Sequence, residues 1–234
     1  MGSVRPVDLG RIPPAGALLI TLSLALAPVG CAFRPPRLVP PPGEVEAVEG
    51  FGTASVAGAE ASLKGKFGFV FRRPGLGRVE AVDPIGRTAF LIVFRGGRAW
   101  FALPGRKVYA EDEAGVMMER FLGVAFLPDD VVRLLAGRWE TGAPPPEDGW
   151  LVTRDAERRV RGGVRGDFSF AVRAFFPGDA VPREIGLEGP AASGRVKVLK
   201  LGFNPPPREE AFATDFVRVF ALKSWPEILE LIER

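Results

Sequence analysis

The chain has 234 residues with 31 basic and 28 acidic side chains, a formal net charge of +3, and no clustered basic face of the kind nucleic-acid binding needs. It contains no histidine, which excludes a Ser-His-acid triad, a Cys-His dyad and any histidine-bearing zinc site. Its one cysteine, Cys31, leaves no partner for an internal disulfide, so stability rests on burial and hydrogen bonding.

Arg5 and Arg11, against Asp8 alone, precede an apolar run from Ala15 to Ala27, and Pro28-Val29-Gly30 leads into Cys31. A basic start, an apolar stretch of about 7–15 residues and a small residue at the cut describe a secretory signal. The run is too short for a membrane span, which needs about 20 apolar residues. An unpaired cysteine in a secreted chain calls for a role. Val29-Gly30-Cys31 resembles the bacterial lipoprotein signal. That resemblance implies cleavage before Cys31, diacylation of its thiol and acylation of the new amine, so that residues 1–30 are a signal peptide and Cys31 tethers the chain to a lipid bilayer. Ala32 stands where an aspartate retains such proteins at the inner membrane, so the resemblance implies the outer membrane, with the domain facing the periplasm.

Residues 32–43 are rich in proline. At about 3.1 Å per residue in extended polyproline geometry, they read as a stiff tether, and 31–43 forms the anchor segment. The remaining residues, 44–234, suffice for one domain.

From Glu46 to Leu103 the pattern is that of strands. Phe67, Phe69 and Phe71 alternate with Lys66, Gly68 and Val70, the period of two of a strand with one wet face. Arg72-Arg73-Pro74-Gly75 turns the chain, Val79–Asp83 is a short strand, and Asp83-Pro84-Ile85-Gly86 is a loop. Ala89–Phe94 is apolar on both faces and calls for cover on both sides. Arg95-Gly96-Gly97-Arg98 signals a hairpin, Ala99–Leu103 returns, and a further strand begins at Lys107. Glu111, Asp112 and Glu113 suit a helix start, where acids complement the dipole, with Met117, Met118, Phe121 and Leu122 following at helical spacing until Gly123. A second helix is predicted over Pro128–Ala136, with Asp129 and Asp130 in its first turn and Gly137 beyond its end. After a proline-rich loop at 142–149, strands are predicted at Trp150–Val152, Asp167–Phe176, Val181–Leu187, Arg195–Phe203 and Phe216–Leu222. A helix is predicted over Trp225–Glu233.

Short connections make this an antiparallel meander, which must close or cover its inner face. The expected fold is mainly β, a strongly curved antiparallel sheet closed by a short helical lid, with a C-terminal helix. Such a half-barrel leaves an apolar pocket where sheet and lid do not fully collapse. Its expected lining is Phe67, Phe69, Phe71, Phe90, Ile92, Phe94 and Phe101 from the strands, with Met117, Met118, Phe121, Leu122 and Leu134 from the helices. Methionine suits such a wall because it adapts to varied shapes. The same residues also describe an ordinary packed core.

Asp83-Pro84-Ile85-Gly86-Arg87-Thr88, the apolar strand that follows, Tyr109-Ala110-Glu111-Asp112 before a methionine-bearing helix, and Leu127-Pro128 before a second helix ending at Gly137 occur in the order seen in LolB-like lipoproteins, within the LolA/LolB superfamily of lipoprotein localisation factors. The chain resembles that family over about residues 51–138. The resemblance implies a half-barrel with a cavity for acyl chains, such as palmitate. It also implies an exposed apolar residue at the position of Ile85 for delivering cargo to the membrane, and a periplasmic LolA-like carrier as donor. The chain departs from the family in an extended tail after Asn204, which leaves the cargo open between lipoprotein and free lipid.

Two other readings compete. One is a structural or assembly lipoprotein with a filled core and no ligand. The other is an enzyme, for which Glu80, Asp83, Glu111 and Asp112 could supply acid–base groups, although no spacing among them marks a catalytic site. The favoured reading is a monomeric, non-enzymatic acyl-chain binder with no cofactor and no metal.

Overall fold

The computed structural model describes residues 38–58, 60, 62–83, 85–139 and 149–233. The signal segment, Cys31, most of the proline-rich tether and nearly all of the loop at 142–149 lie outside the described residues.

Twelve strands among the described residues form one sheet. The first six are β1 (Ala47–Ala57), β2 (Ser62–Arg72), β3 (Leu76–Val82), β4 (Thr88–Arg95), β5 (Arg98–Leu103) and β6 (Val108–Glu113). Two helices follow, α1 (Ala114–Leu122) and α2 (Pro128–Leu135), and then β7 (Leu151–Arg154), β8 (Val160–Arg165), β9 (Phe168–Phe175), β10 (Pro182–Glu188) and β11 (Ser193–Phe203). Two short 3-10 turns lead to β12 (Ala221–Leu222) and α3 (Trp225–Glu233). The order across the sheet is β12-β6-β5-β4-β3-β2-β1-β11-β10-β9-β8-β7. Each meander pairs neighbour to neighbour, and the long antiparallel ladder between β1 and β11 joins the two meanders. The sheet is curved and does not close, since β12 and β7 remain as its edges.

Both faces of β4 are covered, as its unbroken apolar run requires. Ile92 and Phe94 enter the main core beneath the lid. Leu91 and Val93 point to the other face, where they join Ala102 and Tyr109 under Phe216, Val217 and Phe220. The tail after β11 therefore has a structural use: it straps the outer face of the first meander. Arg72 to Glu209, at 2.6 Å, and Arg208 to Glu49 hold the strap across the sheet.

Two sequence expectations are corrected, and one strand lies where none was expected. Glu111, Asp112 and Glu113 belong to β6, whose ladder with β5 runs to the pair Arg98↔Glu113. Two of these acids have partners, Glu111 with Arg98 of β5 at 2.6 Å and Asp112 with Arg120 of α1 at 2.9 Å, and α1 begins after them with no acid in its first turn. The strand expected over Phe216–Leu222 shrinks to Ala221–Leu222, in parallel with β6, because Asp215–Arg218 turns as a 3-10 segment that lays the half-buried Phe216 against the outer face of the sheet. β8 was not predicted: its sequence VRGGVR lacks alternation. Its glycines serve the neighbouring β9, since Gly163 lies opposite Phe170 and a Cβ there would meet the Phe170 ring at 2.4 Å.

Among the described residues no helix is long and apolar enough to cross a membrane.

Candidate functional site

α2 packs over β1, β2 and β3, and α1 continues the lid toward β5 and β6. Between this lid and the inner face of the sheet lies a hollow of about 190 Å³ lined entirely by apolar side chains. From the expected lining, Phe67, Phe69 and Phe71 of β2 and Ile92 and Phe94 of β4 form its floor. Met118, Phe121 and Leu122 of α1 and Leu134 of α2 form its roof. Three expected residues lie elsewhere. Met117, only 1 % exposed, faces the packed core instead, because adjacent helical residues point about 100° apart and only Met118 turns toward the space. Phe90 and Phe101 face a second, separate groove beyond Phe121.

The lining also uses residues that sequence reasoning missed. Ala54 and Val56 come from β1, Ile185 and Leu187 from β10, and Val196 and Val198 from β11. Their alternation was visible in the sequence. What was not visible is that β11 closes on β1 and brings the second meander beside the first.

The hollow persists because of how β2 packs. Phe69 stands opposite Gly50, Phe67 opposite Gly52, and Phe71 opposite Gly77. A Cβ on Gly50 would come within 2.6 Å of the Phe69 ring, and one on Gly77 within 2.7 Å of the Phe71 ring. The rings therefore lie down over bare backbone instead of standing up into the space under the lid. The successive rings sit 5.8 and 6.0 Å apart, tilted against one another. At the far end of the inner face the space is filled: Phe126, Trp139, Trp150 and Phe170 pack mutually, with ring centroids 5.2–6.2 Å apart. The open volume is thus confined to the ground between β4 and β10.

Polar contacts fasten the lid. Asp129, in the first turn of α2, accepts a hydrogen bond from the Gly75 amide at 2.7 Å, tying α2 to the β2–β3 turn. Asp130 accepts from the Leu127 amide at 3.2 Å and from Trp150 Nε1 at 3.4 Å. Burial pushes the Asp130 carboxyl above the usual aspartate value, against the pull of these donors and of Arg133. On α1, Arg120 pairs with Glu60 at 3.1 Å and with Asp112 at 2.9 Å, and its guanidinium lies over the Trp225 ring. A cavity of about 150 Å³ with such walls admits benzene, so this one holds about six to eight carbons as it stands.

Ile85 is 73 % exposed. Its loop is braced by Asp83, whose Oδ1 accepts from the Ile85 amide at 3.0 Å and the Arg87 amide at 2.9 Å. These bonds, with the Arg87 guanidinium, hold the Asp83 carboxyl below its ordinary pKa. Of the expected acid–base candidates, Glu80 is engaged with Arg78 and Thr88, and Glu111 and Asp112 are paired as described. Cys31 lies outside the described residues.

No protein-family model matches the sequence, and no curated protein matches it. Solved structures do match. A DUF1329 family protein from Desulfovibrio piger ATCC 29098 aligns with a TM-score of 0.51 at 10 % identity, covering 74 % of this chain and 92 % of that chain. A LolA superfamily protein from Nitrosomonas europaea aligns with a TM-score of 0.47 at 11 % identity, over 75 % of this chain and 93 % of that one. A domain from Vibrio parahaemolyticus, described as outer membrane lipoprotein-sorting, aligns with a TM-score of 0.48 at 12 % identity, over 81 % and 93 %. At 10 % identity the likeness to the first of these is one of fold alone.

Proposed function

We propose that this chain is a membrane-anchored periplasmic carrier that takes acyl chains into the hollow beneath its lid and passes lipoproteins or lipids to the outer membrane. In this reading residues 1–30 are the signal peptide, Cys31 carries the lipid anchor, 31–43 is the tether and 44–234 is the working domain. A LolA-like carrier supplies the cargo, and no bond-making chemistry is involved. The observation that carries the reading is the wholly apolar hollow of about 190 Å³ between curved sheet and lid. A core filled by the protein's own side chains would leave no such space.

The driving force is differential burial. Each methylene taken from water is worth about 0.8 kcal/mol, so a tip of six to eight carbons gains about 5–6 kcal/mol. That is enough to hold a chain in transit and too little to compete with the whole chain's burial in a bilayer. Ile85 suits the final step, as an apolar side chain held in water on a braced loop gains when it meets a membrane.

The test is transfer of a fluorescent acyl chain between two vesicle populations. The full chain should accelerate transfer, and Ile85→Glu should slow it at least severalfold. No acceleration by the unaltered chain would overturn the proposal, and full activity of Ile85→Glu would remove the loop from it.

A further inference from the structure

A groove of about 710 Å³ lies on the other side of Phe121 from the apolar hollow. Its floor is apolar, built by Phe90, Phe101, Leu103 and Leu231. Its rim is polar and carries Arg87 and Arg106 against Asp83. Arg87 is paired with Asp83 at 2.9 Å, while Arg106 makes no ion pair among the described residues, so the rim retains a net positive charge. Phe121 is the side chain that lines both spaces. It packs on Phe101 at 5.6 Å and on Trp225 at 5.5 Å, which makes an aromatic partition between them.

We infer that the two spaces form one site for an anionic amphiphile: the hydrocarbon tip enters the hollow past Phe121, and the anionic head rests at the rim beside Arg106 and Arg87. This rests on the apolar hollow taking a chain, as proposed above, and adds the class of ligand. The geometry explains a mismatch of size. The hollow alone holds only part of a long chain, and the groove continues it over a second apolar floor to a charged mouth. That mouth is formed by the same Asp83–Arg87 loop that carries Ile85, so the head of the ligand sits next to the residue presented to the membrane. A bare hydrocarbon or a neutral headgroup leaves the Arg106 charge unanswered, whereas a phosphate or carboxylate head answers it with a charge-assisted bond.

Calorimetric titration of the full chain bearing Cys31→Ala, with decyl phosphate, decanol and inorganic phosphate as probes, tests this. Decyl phosphate should bind about tenfold more tightly than decanol, and inorganic phosphate alone should neither bind measurably nor displace it. Arg106→Gln should bring the two affinities together, and Phe121→Ala, which widens the passage between the spaces, should move the preferred alkyl phosphate to a longer chain. Equal affinities in the unaltered protein, or an undiminished preference in Arg106→Gln, would overturn the inference while leaving chain binding intact. Displacement by inorganic phosphate would overturn it in favour of a free-anion site. Binding of neither amphiphile would sink both this inference and the chain-binding reading beneath it.

Discussion

At the scale of single residues, the charged groups here brace apolar surfaces. Glu227 shows this most clearly. Its carboxylate accepts from Lys223 Nζ at 2.8 Å, from Ser224 Oγ at 2.7 Å and from the Ser224 amide at 2.8 Å. Together these bonds lower its pKa to about 2. Ser224 and Glu227 have the spacing of a capping box, and the helix they start begins with Trp225, which packs edge-on against Phe101 and Phe121. A carboxylate with a depressed folded pKa contributes stability above its unfolded value and loses it as the pH falls through its folded value. That contribution should therefore disappear between pH 4.5 and about 2. Thermal midpoints measured across this range should fall more steeply for the unaltered chain than for Glu227→Gln. Parallel curves would show that the cap carries no weight. Ser224-x-x-Glu227 is legible in the sequence, but the reason it matters is not, because Phe101 and Phe121 approach Trp225 only in the folded sheet.

At the scale of elements, the cavity depends on a division of labour between neighbouring strands. β2 supplies three phenylalanines and its flanking strands supply the glycines on which they lie. Gly77 is the cleanest place to disturb this, since a Cβ there meets only the Phe71 and Phe94 rings, at 2.7–3.0 Å, with no backbone atom among those nearest contacts. Gly77→Ala should lift both rings toward the lid, cost about 1–3 kcal/mol of stability through overpacking, and weaken decanol binding measured by calorimetry. Loss of stability with unchanged affinity would mean that the rings relax sideways and the floor does not set the volume. The phenylalanine alternation of β2 announced a strand and a buried face. Its pairing with glycine could not be read without the register, because Gly50 and Phe69 are neighbours only once β1 and β2 are aligned.

At the scale of the whole molecule, two meanders share one curved sheet, and the hollow exists because only part of the inner face is filled. Most of the first meander was legible, since its turns carry glycine or proline and its strands alternate. The second was legible in outline: Phe168, Phe170 and Val172 marked β9, while the glycine-rich β8 gave no alternating signal. The tail misled for a physical reason. Phe216 and Phe220 are apolar like strand residues, yet they cover the outer face of β4 and β5, a role set by Leu91 and Val93 far away in sequence. The central claim concerns the interior. It is tested most directly by a crystal structure of the full chain bearing Cys31→Ala, grown with a fatty acid brominated at its methyl end. An anomalous bromine peak among Phe69, Phe94 and Leu134 is the predicted result. A bromine signal found only on the outer surface, with the space beneath the lid unchanged, would contradict the account.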